Sequence, residues 1–203
     1  MLELEALMRR AGLRPEERLL IKIQACIWPG DHEGLAACLQ LCRTLGVARS
    51  DVEEVLLQGV LFCGFPRIVN AFRVLNDEWP STAAPAGGAL PPEERERAGL
   101  DLFDAIYAGN ANDVKAMLRG CHSEFHDFVL DTAYGRILSR PGLSTRMREL
   151  IAVGVLALTD QVPQMIAHGR GARKFGATVE ELREAIYTGV EDEDRTSQLA
   201  RLV

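Results

Sequence analysis

The chain has 203 residues, 47% apolar and 26% charged, the make-up of a soluble globular protein long enough to bury a core. A net charge of −6 excludes a general binder of nucleic-acid backbone, which needs a basic face, though not a local arginine pocket for a small anion. The longest apolar run, Leu150–Leu158, falls far short of the roughly 20 residues of a membrane span. The charged start of the chain also lacks the apolar core of a signal peptide. Five cysteines, odd in number and loosely spaced, suit a reducing, cytoplasmic setting better than a disulfide framework.

Helical periodicity dominates, and strand-like alternation is missing from the sequence. Residues 3–11 predict a short helix closed by Gly12. Pro15, Glu16 and Glu17 open a longer one, because proline fits the first helical turn and carboxylates favour its positive end. It breaks at Trp28-Pro29-Gly30, and the next helix runs from Glu33 to Leu45, stopped by Gly46. Ser50 and Glu53 form a capping-box pattern ahead of another, which Gly64-Phe65-Pro66 interrupts before a final helix to about Leu75. Residues 80–92 are rich in Pro, Gly and Ala and read as a linker. Beyond it, helices are predicted over 93–108, 110–119, 122–138, 144–158, 163–175 and 179–188. The acidic run in 191–203 reads as a solvated tail.

Residues 12–60 slide onto 142–190 without gaps at a constant offset of 130. Among the positions that then coincide are Gly12/Gly142, Leu13/Leu143, Arg18/Arg148, Leu20/Leu150, Ile21/Ile151, Ala37/Ala167, Arg43/Arg173, Gly46/Gly176, Glu54/Glu184 and Gly59/Gly189. Helix-ending glycines and apolar rows align together, the signature of a duplicated helical unit. Residues 1–79 thus read as a partial copy and 93–190 as a full one, whose series of helices stops before any counterpart of the Gly-Phe-Pro helix.

Only the second copy carries a candidate catalytic pair. Where it has Glu149 and His168, the first has Leu19 and Cys38. A carboxylate reaching an imidazole from the preceding helix orients the ring for proton transfer; the alternative is a histidine simply satisfied in the core. Gln164 shares a helix face with His168, and Gln161 lies just ahead of that helix. Gly169 and Gly171 cost about 1 kcal/mol each in a helix, which suits close approach of a ligand or of another helix. Tyr134 is a candidate for pocket lining or for core packing. His122-Ser123-Glu124-Phe125-His126 only superficially resembles a zinc helix. Its glutamate lies two positions after the first histidine, about 200° around the helix, so no metal site is expected.

Arg140-Pro141-Gly142-Leu143, Arg148-Glu149-Leu150-Ile151, His168-x-Arg170-Gly171-Ala172 and Gly176-x-Thr178-x-Glu180-Glu181-Leu182 together resemble the carboxymuconolactone decarboxylase family, which also holds the AhpD alkylhydroperoxidases. Gly64-Phe65-Pro66 with Asn70-Ala71-Phe72 is similar to the closing segment of the same family domain. The resemblance implies an all-α, AhpD-like helical bundle, one full unit plus a partial N-terminal copy, assembled as a homo-oligomer. AhpD-like members use a Cys-x-x-Cys pair, and those positions here are Gln161 and Gln164. A glutamine amide forms neither thiolate nor disulfide, so dithiol peroxidase turnover at this site is excluded. Decarboxylase members need no cofactor. Their likeness implies a small carboxylate or lactone substrate, His168 as acid/base, Glu149 as its orienter, and Arg148 and Arg170 as carboxylate-binding guanidiniums. Arg148 also suits a structural ion pair.

Overall fold

The computed structural model describes residues 2–83, 88 and 90–203. The linker call on 80–92 therefore falls partly outside the described residues, at Ala84–Gly87 and Ala89. Among those described, the fold is all-α. In chain order the helices are α1 (Leu2–Met8), α2 (Pro15–Ile27), α3 (His32–Leu45), α4 (Arg49–Cys63), α5 (Phe65–Glu78) and α6 (Pro92–Tyr107). After the 3₁₀ turn Ala108–Asn110 come α7 (Ala111–Cys121), α8 (Ser123–Asp127), a π-helix (Phe128–Leu138), α9 (Thr145–Leu158), α10 (Val162–Lys174), α11 (Val179–Val190) and α12 (Glu193–Ala200).

At the offset of 130, α2, α3 and α4 fall on α9, α10 and α11. Two expectations change. α4 starts at Arg49 with Ala48 as its N-cap, so Ser50 sits inside the first turn instead of capping it. The acidic run expected as a tail opens α12: the Asp192 carboxylate accepts the Arg195 amide at 2.6 Å, and Glu193 and Asp194 favour the positive helix end. Thr196 and Leu199 are buried, so α12 is packed, resting on α11 as α5 rests on α4.

The two units share one core. Leu19, Ile21 and Ile23 of α2 and Val52, Val55 and Leu56 of α4 join Leu150, Ile151 and Val153 of α9 and Leu182, Ala185 and Ile186 of α11. At the α9–α11 crossing, a Cβ on Gly189 would stand 2.2 Å from the Gly154 carbonyl, so the backbones meet there only because both positions are glycine. A second, smaller cluster (Phe103, Ile106, Ala111, Tyr134 and Leu138) joins α6, α7 and the π-helix.

The units are locked by a reciprocal exchange of arginines and glutamates. Arg18 of the first donates to Glu184 Oε2 of the second at 2.9 Å, to Thr188 at 3.0 Å, and to the Arg10 and Ala11 carbonyls. Arg148 of the second donates to Glu54 Oε2 of the first at 2.7 Å, to Gln58 at 3.3 Å, and to the Arg140 and Pro141 carbonyls. Each partner of one arginine sits 130 residues from the matching partner of the other. Arg10 and Arg140 complete the pattern with forked bonds to Glu184 and Glu54. Burial pulls Arg18 and Arg148 below their ordinary values, against the hydrogen bonds to their glutamates, but a guanidinium stays charged near neutrality.

Burial raises the carboxyl pKa values of Glu54 and Glu184, and the paired guanidiniums more than reverse this, leaving both below their ordinary value of 4.5. A carboxyl depressed in the folded state stabilises fully above the unfolded pKa and loses that contribution as pH falls through the folded one. The urea midpoint should therefore hold near neutrality and fall steadily below about pH 4.5, less steeply in Glu54→Gln. A midpoint unchanged at about pH 3 would contradict it.

Candidate acid–base site

Glu149 projects from the middle of α9 and His168 from α10, helices joined by the tight turn at Thr159–Gln161 and packed along their lengths. The imidazole Nδ1 lies 3.0 Å from Glu149 Oε2. With an ionised carboxylate accepting, Nδ1 is the donor of this contact, and Nε2 is the ring nitrogen left for proton exchange. The Glu149 side chain is 1% exposed and that of His168 is 9% exposed. Gly171 makes the contact possible: a Cβ there would stand 2.4 Å from Glu149 Oε2. Gly169, the other glycine singled out in the sequence, admits Val203, whose Cγ1 would be 2.6 Å from an added Cβ.

Sequence reasoning missed three neighbours. Phe62, from α4 of the first unit, presents an edge-on ring 5.9 Å from the imidazole. Val203 packs one residue along from His168. Tyr107 accepts a hydrogen bond from the Tyr134 hydroxyl at 3.4 Å. Burial pushes both phenols up, Tyr134 well above its usual value, and the Glu149 charge adds to this in each. Two neutral hydroxyls thus stand within electrostatic reach of the carboxylate. No motif flags these groups, because each comes from an element distant in sequence.

The other predicted site residues lie outside the buried contact between Glu149 and His168. Arg148 is a correction: neighbouring positions on a helix point about 100° apart, and this side chain is buried against Glu54 and Gln58, away from any anion-binding position beside His168. Gln161 donates to the Thr159 carbonyl at 3.0 Å as the exposed N-cap of α10. Gln164, one turn before His168, is exposed, and so is Arg170, two positions beyond it and on the opposite side of α10. Tyr134 is buried against Phe103, ring centroids 4.8 Å apart. His122 accepts the Glu124 amide and His126 pairs with Asp127 at 2.8 Å. Among the described residues no His, Cys, Asp and Glu group is placed to hold a metal ion, and no helix is long and apolar enough to cross a membrane.

A duplicated helical unit with a buried carboxylate–imidazole pair between α9 and α10 is what the fold and site define. Residues 2–77 and 123–199 match the carboxymuconolactone decarboxylase family, and the chain belongs to it. It is 28% identical over 95 residues to 4-carboxymuconolactone decarboxylase of Acinetobacter baylyi, covering 46% of this chain and 71% of that protein. It is 25% identical over 164 residues to Peroxisomal protein 2 of Schizosaccharomyces pombe, covering 74% of this chain and 77% of that one.

Proposed function

We propose that the second unit is a cofactor-independent acid–base site acting on a small carboxylate or lactone, as a carbon–carbon lyase of the decarboxylase kind. The observation that carries the reading is the buried 3.0 Å contact between Glu149 and His168. With Nδ1 held by the carboxylate, Nε2 is the nitrogen that moves a proton to or from the substrate. Loss of CO₂ leaves its electron pair on the lactone system, and Nε2, having taken up a proton from solvent, delivers the proton that quenches it. Gln164, on the exposed side of the same helix face, supplies an amide donor to a substrate carboxylate. The name of the Acinetobacter relative and the family itself support this substrate class. The free thiols agree with a reducing cytoplasm. Self-association through exposed apolar side chains such as Phe125 and Phe128 completes the proposal.

The test is CO₂ release from a panel of lactone carboxylates and keto acids. Turnover of at least one is expected, and its absence across the panel would overturn the lyase reading. A second reading, a small-molecule binder or scaffold that performs no chemistry, is favoured by the low exposure of the imidazole; it requires binding without CO₂ release. In Gly171→Ala the added Cβ displaces the Glu149 carboxylate. Misplacement of about 1 Å should lower kcat by about 10²-fold with the helical circular dichroism retained. Wild-type kcat in that variant would show that the contact is dispensable.

A further inference from the structure

A second polar recess lies apart from Glu149 and His168, between α6, α7, α8 and the π-helix. It holds about 510 Å³, within the usual range for a small-molecule pocket. Glu96, Leu100 and Arg119 of its lining fall between the two stretches that match the family, so this wall is no part of the matched unit. Leu130 and Asp131 come from the π-helix, a rare geometry that recurs at functional sites. Gly99 and Gly135 pin α6 to that helix: a Cβ on Gly99 would stand 2.7 Å from the Gly135 Cα.

The charges of this recess are held apart. His126 is buried, and with the ionised Asp127 carboxylate 2.8 Å from Nδ1, that nitrogen donates. A guanidinium only donates, so Nε2 accepts from Arg119 at 3.5 Å, and the imidazole holds the guanidinium against α8. Arg119 forms no ion pair with Glu96 or Asp131, although all three line the same space. Among the described residues, none supplies either carboxylate with a cation. All three side chains are exposed and open to a solute.

A ligand matched to this lining carries both charges and a hydrocarbon part. A simple anion would meet the carboxylates of Glu96, Asp127 and Asp131, and a simple amine would leave Arg119 without a counter-charge. We propose that the recess binds a free α-amino acid with an apolar side chain. Its carboxylate sits on the Arg119 fork, its ammonium on Glu96 and Asp131, and its side chain on Leu100 and Leu130. Binding here requires nothing of the His168 chemistry.

The test is calorimetric titration of the full chain with leucine, methionine and phenylalanine. Isocaproate and isoamylamine, which keep the leucine side chain but only one charge each, serve as comparisons. At least one amino acid should bind saturably, and both single-charge analogues should bind about tenfold more weakly or worse. Arg119→Ala and Asp131→Asn alter exposed side chains, so the helical circular dichroism should be retained. Each should weaken amino-acid binding by about tenfold. Amide chemical shifts should move at Leu130 and Asp131 on titration. Absence of saturable binding for all three amino acids would overturn the proposal. So would binding that either variant leaves unchanged, or an analogue that binds as tightly as the amino acid.

Discussion

His168→Asn should lower kcat for CO₂ release by about 10² to 10⁴-fold while leaving the thermal midpoint close to that of the parent chain. Asparagine keeps a side-chain amide that can still donate to Glu149, so the buried carboxylate is not stranded. What it lacks is a nitrogen that takes up and returns a proton near neutral pH. Phe62 from the first unit lies edge-on to the imidazole and cannot substitute for it. Turnover unchanged in this variant would remove His168 from the chemistry and leave the Glu149–His168 contact as a core interaction.

Arg148→Ala should cost about 3 kcal/mol of stability, because it leaves Glu54 buried with only part of its pairing and opens the seam between the units. For a chain of this size that is a loss of roughly 6–12 °C in Tm. Arg18→Ala, the counterpart 130 residues earlier, should cost about as much, since Glu184 stands to Arg18 as Glu54 does to Arg148. The comparison is informative because only Arg148 neighbours a proposed catalytic residue. Similar losses in the two variants, read by calorimetry, would establish that Arg148 works as a lock. A Tm unchanged in Arg148→Ala would mean that the ion pair only balances its own desolvation.

The helices and their duplication were legible because apolar rows at helical spacing and the stop signals Gly12, Gly46, Gly142 and Gly176 all recur at one offset. All four glycines have positive φ, the conformation that ends a helix. The pairing of Glu149 with His168 was legible because a short turn forces α9 and α10 to lie side by side. That Arg148 suits a structural ion pair was legible too, but not its partner, which lies in the other unit, because periodicity carries no record of which unit a side chain faces. Nor was the π-helix, whose apolar pattern over Phe128–Leu138 is that of an ordinary helix. The run Glu191–Asp194 was misread for a different reason: clustered carboxylates suit a solvated tail and a helix N-terminus equally, and only the burial of Thr196 and Leu199 distinguishes them.

A double-mutant cycle on kcat bears most directly on whether the carboxylate and the imidazole act as one unit. Glu149→Gln, His168→Asn and their combination would be measured with the same substrate at the same pH. If the carboxylate works only through the ring it orients, the double variant should be no slower than His168→Asn alone. Losses that simply multiply would show the two side chains acting independently and would contradict a shared proton-transfer site.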